Sequence, residues 1–174
     1  MILIQKILFN QQECQSIIDI TKSKKQNWNY KDRIYESTSI EYNKNTIWLF
    51  DKLTNFVEKE TNIKIGTIKK TIHFHKFVKG DWFGKHNDIR DDRVYAVGVL
   101  LNNDFSGGDF KLYNPDEIIL NKVVGNTYLF DVRIEHEITS ILDGERYSLE
   151  AIDFTQQQFI TDEGKISFDQ VNKN

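Results

Sequence analysis

Two textures of hydrophobic and polar positions divide the chain near residue 63. In the first part, apolar residues recur at helical spacing. Cys14, Ile17, Ile18 and Thr21 share one face, because residues three and four apart stack on one side of a helix. Asn10 followed three residues later by Glu13 is the pattern of a capping box, in which each side chain satisfies an orphan backbone N–H. A helix is therefore predicted to begin there. A second is predicted over about 46–59, where Leu49, Leu53, Phe56 and Glu60 form a stripe with Phe50 and Val57 beside it.

From about Ile63 onward the runs are short, rich in β-branched and aromatic residues, and interrupted by turn residues. About eight strands are predicted, over 64–78, 83–87, 94–102, 109–113, 117–120, 126–131, 134–142 and 146–154. The breaks between them include Lys79-Gly80-Asp81, Ser106-Gly107-Gly108, Asn114-Pro115-Asp116 and Asp143-Gly144. Strands at this spacing imply a β-sandwich or barrel, and helices that precede them imply helices packed on one outer face. The Gln-rich tail after Phe154 reads either as an edge strand or as a fraying end.

Composition changes this picture little. A length of 174 residues with one proline and no linker-like stretch fits a single domain over 1–174, with helices over about 10–60, a β core over about 64–154 and a short tail. Hydrophobic residues at 39% and aromatics at 13% put the chain with folded proteins. A net charge of −3 gives no reason to expect a nucleic-acid or membrane partner. The longest apolar run, Val94–Leu101, is far short of a membrane span. The lone Cys14 cannot form an internal disulfide, so a reducing compartment, the cytoplasm, is expected. Oligomeric state is not legible.

The candidate chemistry lies among four histidines, His73, His75, His86 and His136. His86-Asn87-Asp88 puts an imidazole and a carboxylate two residues apart at the end of a predicted strand, and in extended backbone such residues face the same way. His136, fifty residues later at the start of another strand, completes a set of two imidazoles and one carboxylate. Such a facial triad leaves coordination positions open, as a non-haem iron oxygenase requires. Asp143-Gly144 is a hairpin signal, predicted to fold the Arg146 strand back beside the His136 strand. Arg146 would then lie deeper in the barrel than the metal. Its planar fork suits a dicarboxylate whose other end chelates that metal. A rival metal set built on His73 and His75 leaves Arg146 without a role.

At these residues the chain resembles prolyl 4-hydroxylase-type 2-oxoglutarate oxygenases. Phe77-Val-Lys-Gly80-Asp-Trp-Phe83-Gly-Lys-His86-Asn-Asp88 looks like that family's Gly-x-x-Phe-x-x-His-x-Asp opening. Val94–Asn102 followed by Phe105-Ser-Gly107-Gly108-Asp-Phe110 is similar to its strand, Leu-Asn and Gly-Gly segment. Gly125 through Phe130 and His136 to Arg146 is similar to its ending, with the basic residue ten positions after the second histidine. The N-terminal stretch from Phe9 to Cys14 also looks like the helix that precedes this fold. The resemblance covers roughly 69–154.

It implies a double-stranded β-helix (jelly roll), Fe(II) on His86, Asp88 and His136, and Arg146 on the distal carboxylate of 2-oxoglutarate. It also implies O2-dependent hydroxylation of a C–H bond with decarboxylation of 2-oxoglutarate to succinate. The substrate implied is a protein or peptide prolyl side chain, with a small molecule as the alternative. In one respect the chain departs from the family. Many members carry a Tyr nine or ten residues before the first metal His, where Phe77 stands here without a hydroxyl.

Several other residues carry readings of their own. His73, His75 and Phe77 alternate on one strand and share a face, so His75 is a candidate contact to co-substrate or substrate, or else a core histidine. Arg146, Ser148 and Glu150 share the inward face of another strand, where Glu150 needs a partner. Ala96, Gly98 and Leu100 are small enough in alternation to leave room near a metal. Trp82 is a candidate lid, and the loop from Arg90 to Arg93 is a solvated flank. A cupin-like sugar isomerase or a non-catalytic sugar-binding module remains the reading from another class. Neither needs the His-x-Asp pair or the distal Arg.

Overall fold

The helices form where the apolar spacing puts them. In the computed structural model of the chain, which describes residues 3–21, 26–30, 33–62, 64–65, 72–89, 93–155 and 159–160, α1 spans Gln11–Thr21 and buries Cys14, Ile17, Ile18 and Thr21. Its first turn is closed by the reciprocal bonds expected. The Glu13 amide donates to Asn10 Oδ1 and the Asn10 amide to Glu13 Oε2, each at 2.9 Å. Helix α2 spans Ile47–Thr61 and buries Leu49, Phe50, Leu53, Thr54, Phe56 and Val57. Glu60 falls at the edge of that stripe, half-buried, and accepts a bond from Lys6 Nζ at 2.5 Å. Lys52 of α2 donates to Glu13 Oε1 at 2.6 Å and ties the helices together. That bond, with the Asn10 amide, holds the Glu13 carboxyl below its ordinary range against the cost of burial.

Strands follow in chain order. Ahead of the first glycine turn lie β1 (Leu3–Ile7), β2 (Gln26–Tyr30), β3 (Arg33–Ile40), β4 (Lys64–Ile65) and β5 (Ile72–Phe77). After it come β6 (Trp82–His86), β7 (Arg93–Leu100), β8 (Phe105–Gly107), β9 (Phe110–Tyr113) and β10 (Glu117–Ile119). The last are β11 (Asn126–Asp131), β12 (Glu135–Ile138), β13 (Ile141–Gly144), β14 (Arg146–Thr155) and β15 (Phe159–Ile160).

Eleven of these strands join in one sheet in the order β1-β11-β7-β14-β5-β3-β6-β12-β9-β10, with β2 attached to β3. The pairs β13–β8 and β15–β4 stand apart from it. Strand β3 turns the corner. It pairs with β5 along Glu36–Ile40 and with β6 at Arg33 and Ile34, so the sheet curls and its two halves face each other. This curled antiparallel sheet is the double-stranded β-helix, or jelly roll, expected from the strand spacing and the resemblance.

Alternation along the strands sorts side chains to two sides. The outer face of the larger half presents Tyr95, Val97 and Val99 of β7, Leu129 of β11, Leu149 and Ala151 of β14, and Ile72 and Phe74 of β5. These form one core with the buried faces of α1 and α2. Each fully buried Val, Leu, Ile or Phe among them contributes about 1.5–3 kcal/mol from its removal from water. The opposite parity, Ala96 and Gly98 of β7, Tyr128 and Phe130 of β11, His75 of β5, and Ser148 and Glu150 of β14, lines the barrel interior.

Three expectations are corrected here. The first part of the chain also holds β1, β2 and β3, strands whose pattern is masked by polar residues. Glu36, Ser37, Thr38 and Ser39 sit in β3, and β1 is an edge strand with its later side chains exposed. The predicted strand over 134–142 divides into β12 and β13, because β12 pairs with β6 and β9 whereas β13 pairs with β8. The predicted hairpin between the His136 and Arg146 strands does not form. Strand β14 pairs with β5 and β7 instead, so β13 carries the chain from one half of the jelly roll to the other. Gly144 takes a φ of 80° at that junction, which fits its turn signal but not the partner inferred from it. Of the predicted strand over 64–78, residues 66–71 lie outside those described, as do Arg90 to Asp92 and the tail from 161.

Candidate active site

His86 is the last residue of β6, Asp88 follows it in the loop, and His136 is the second residue of β12. The two imidazoles meet because His86 and His136 are directly opposed in the antiparallel pairing of β6 and β12, beside an irregularity in register. Asp88 is fixed by its backbone, whose amide donates to the Val132 carbonyl at 3.0 Å. Along β12, His136 and Ile138 point inward and are buried. Glu135 and Glu137 point outward, to Lys85 at 3.0 Å and the Tyr113 hydroxyl at 2.7 Å.

Donor atoms of His86, Asp88 and His136 lie within 4.8 Å of one another, and among the described residues this is the one such group of three. His86 Nδ1 sits 2.7 Å from the Gly84 carbonyl and His136 Nδ1 3.0 Å from the Ile134 carbonyl. A carbonyl only accepts, so each Nδ1 carries the proton and each Nε2 keeps its lone pair. Those Nε2 atoms face Asp88, at 3.7 Å from Oδ1 and 3.4 Å from Oδ2. A backbone carbonyl on the second ring nitrogen is the usual way a metal-binding histidine is oriented. Burial pushes the His136 imidazole below its ordinary value, and His86 adds to this against the pull of Asp88. His136 is thus neutral at pH 7, the state that can ligate a metal.

Aromatic rings buttress the group. Phe83 stacks on His86 at 3.9 Å between centroids, Phe110 stacks on His136 at 5.5 Å, and Phe130 meets His136 edge-on at 4.9 Å. These rings, with Tyr128, Ala96, Gly98, His75, Ser148 and Glu150, line a cavity of about 400 Å³ counted to its mouth.

Arg146 arrives from the other half of the barrel. It is 1% exposed and lines a smaller cavity that shares Tyr128 and Phe110 with the larger one. Its Nη1 donates to Ser148 Oγ at 2.7 Å. Its guanidinium lies over the Phe77 ring, 5.4 Å from the centroid, the residue opposite it in the β5–β14 register. Burial lowers its affinity for a proton, while Tyr128 and Glu150 raise it, and a guanidinium stays charged in a protein.

Among the described residues three buried side-chain polar atoms have no hydrogen-bond partner, and two of them belong to this site: Asp88 Oδ2 in the triad and Arg146 Nε at the far end. Orphaned atoms of this kind carry a desolvation cost unless something else satisfies them. A divalent cation on the imidazole and carboxylate donors, and a carboxylate on the guanidinium, fit the two positions by charge and by ligand type.

The remaining candidates are distributed as follows. His75 lines the cavity, with Nδ1 3.5 Å from Glu150 Oε2 and its ring 4.8 Å from that of Tyr35. Glu150 therefore finds its partner in His75 across the strands. Phe77 is fully buried, stacked on Tyr35 and supporting Arg146, and is not part of the cavity lining. Trp82 is half-buried beside Ile34 of β3 and does not line the cavity. The room expected above Gly98 is taken up by the Tyr128 ring, since a Cβ at Gly98 would come within 2.1 Å of Tyr128 Cε2.

Sequence reasoning missed Tyr128, Phe110 and Phe130. Tyr128 and Phe130 do alternate along a predicted strand, but only the pairing of Tyr128 with Gly98 shows that they face inward.

No protein-family model and no curated protein matches the chain. Solved structures do. A prolyl 4-hydroxylase from Pseudomonas putida superposes with a TM-score of 0.71 at 16% identity, over 85% of this chain and 89% of that one. A prolyl hydroxylase from Trichoplax adhaerens, in complex with a peptide fragment of the hypoxia inducible factor oxygen degradation domain, gives 0.69 at 18% identity over 90% and 84%. A viral collagen prolyl hydroxylase from Paramecium bursaria Chlorella virus-1, in complex with 2-oxoglutarate, gives 0.66 at 16% identity over 85% and 93%. At these identities the likeness is one of fold.

Proposed function

We propose that the chain is an iron(II)- and 2-oxoglutarate-dependent oxygenase that hydroxylates a C–H bond of a protein or peptide, foremost a prolyl side chain. The observation that carries this reading is the convergence of His86, Asp88 and His136 within 4.8 Å inside a jelly roll, with a buried arginine from the opposite half walling an adjoining cavity that shares Tyr128 and Phe110 with theirs. A sugar isomerase or sugar-binding module has no use for that arginine. The fold shared with prolyl hydroxylases, one of them solved with 2-oxoglutarate and one with a peptide, supports both the co-substrate and the substrate class.

In this reading His86, Asp88 and His136 hold the iron, each imidazole by Nε2. When bound, the iron supplies activation of O2, coupled to decarboxylation of 2-oxoglutarate to succinate and hydroxylation of the substrate. The chain's own residues do the rest. Arg146 fixes the distal carboxylate by charge-assisted bonds. Phe83, Phe110 and Phe130 keep water from the ligand rings and so preserve the strength of the charges inside. His75 and Glu150, on the wall shared by β5 and β14, are positioned to contact whatever enters the mouth.

The test is succinate release from 2-oxoglutarate by purified protein with and without Fe(II). It is followed by a screen of proline-containing peptides under isotopically labelled dioxygen, read by mass spectrometry. Iron-dependent succinate and one labelled oxygen in a prolyl residue are expected. Succinate formed equally well without iron would overturn the assignment.

A further inference from the structure

Tyr128 occupies a place that the metal and the guanidinium alone do not explain. It lies in the middle of β11, directly opposite Gly98 on β7. Its ring lies so close over Gly98 that a Cβ there would meet Cε2, Cζ and the hydroxyl oxygen at 2.1, 2.2 and 2.3 Å. Any side chain at Gly98 would displace the ring. The pairing therefore holds a buried phenol at a fixed height in the barrel. Tyr128 lines both the metal cavity and the smaller cavity walled by Arg146, and its hydroxyl lies close to the Arg146 guanidinium.

Donor counting then becomes informative. A guanidinium has N–H donors and no acceptor, so toward Arg146 the phenol oxygen can only accept. The phenol proton therefore has no acceptor in Arg146 and requires one elsewhere. Burial pushes the phenol up to about 12, with Glu150 and Asp88 adding to this and Arg146 opposing it. Tyr128 is therefore an O–H donor at neutral pH. Arg146 Nε is also without a partner. A surplus of buried donors around one cation calls for an anion. The β5 wall offers no hydroxyl at this point, because Phe77 lies under the guanidinium.

We infer that Tyr128 is a second anchor for 2-oxoglutarate, its hydroxyl donating to the distal carboxylate beside Arg146 and replacing from β11 the hydroxyl that Phe77 lacks on β5. This rests on the proposed identity of the site. Gly98 is the positioning residue that makes the anchor possible.

The experiment uses the full chain loaded with Mn(II), titrated calorimetrically with 2-oxoglutarate and with 2-oxobutanoate. The second compound keeps the chelating keto-acid end and lacks the distal carboxylate. Tyr128→Phe is expected to weaken 2-oxoglutarate roughly tenfold to a hundredfold, the range for a hydrogen bond to a charged group. Affinities for 2-oxobutanoate and for Mn(II) should be unchanged. Gly98→Ala, whose methyl must push the ring aside, is expected to give the same selective loss. Equal 2-oxoglutarate affinity in wild type and Tyr128→Phe overturns the inference and leaves the site assignment standing. Parallel loss of both keto acids or of Mn(II) also overturns it, because that is how a collapsed cavity behaves. A wild-type protein that does not prefer 2-oxoglutarate to 2-oxobutanoate overturns the site assignment itself, and the inference with it.

Discussion

Arg146→Met separates what Arg146 does for the fold from what it does for a ligand, and the two effects have opposite signs. The side chain is 1% exposed, its Nε is unpaired and its Nη1 donates to Ser148. It is a buried cation held at a cost. Exchange of buried ionic groups for apolar ones of similar volume is neutral or stabilising by about 1–4 kcal/mol. The groups left behind adapt here, because Ser148 and Tyr128 can rotate their hydroxyl protons and Glu150 keeps His75. In a chain of this length 1 kcal/mol moves the Tm by about 2–4 °C. The Tm of Arg146→Met measured by calorimetry without keto acid is therefore expected to stay level or to rise by a few degrees.

Binding should move the other way. Truncating one partner of a buried, hydrogen-bonded charge pair costs about 2–5 kcal/mol. That corresponds to about a thirtyfold to several-thousandfold loss of affinity for 2-oxoglutarate on the Mn(II)-loaded protein. A fall in Tm of about 5 °C or more would show that Arg146 is part of the scaffold. Unchanged 2-oxoglutarate binding would refute its role as the anchor.

Mn(II) at a hundredfold excess over its Kd should stabilise the wild-type protein by about 2.7 kcal/mol, which is about 5–11 °C in Tm for a domain of this size. His136→Ala should show no such shift, and a metal-dependent shift that survives in the variant would contradict the assigned ligand set. Burial pushes the Cys14 thiol from 9.0 up to about 11, so the unfolded chain loses that proton first. The contribution to stability is whole below pH 9 and is lost as the pH rises to about 11. Thermal unfolding across that window should decline more steeply for wild type than for Cys14→Ala, and parallel curves would count against the thiol being held protonated.

The helices were legible because helical spacing survives in a single sequence. Cys14, Ile17 and Ile18 repeat at three and four, and a capping pair marks the first turn. Strands buried on one face or both, such as β7 and β11, were legible as apolar or alternating runs. Strand β3 was not, because the polar run Glu36, Ser37, Thr38 and Ser39 separates Tyr35 from Ile40, which pack in different core clusters on opposite faces and so give no period-two pattern. For the site, His86 and Asp88 were readable from local spacing and His136 from its position on a late strand. Arg146 was readable as a residue but not as a neighbour. The turn at Gly144 predicts a reversal of direction, whereas the partner strand is decided by which sheet has an unfilled edge. Tyr128 was invisible for the same reason, since its orientation depends on a register with Gly98 that long-range pairing alone fixes.

The glutamates on either side of His136 guard the alignment of β12. Sliding that strand by one residue turns every side chain to the opposite side. Glu135 and Glu137 would be driven among phenylalanines, away from Lys85 and Tyr113, and Ile138 would be pushed into water. Carboxylates without a counter-charge are expensive in such surroundings, so a sheet paired one residue out of register is strongly disfavoured. The separation of the two imidazoles is thereby written into the strand register and does not depend on an ion to draw them together.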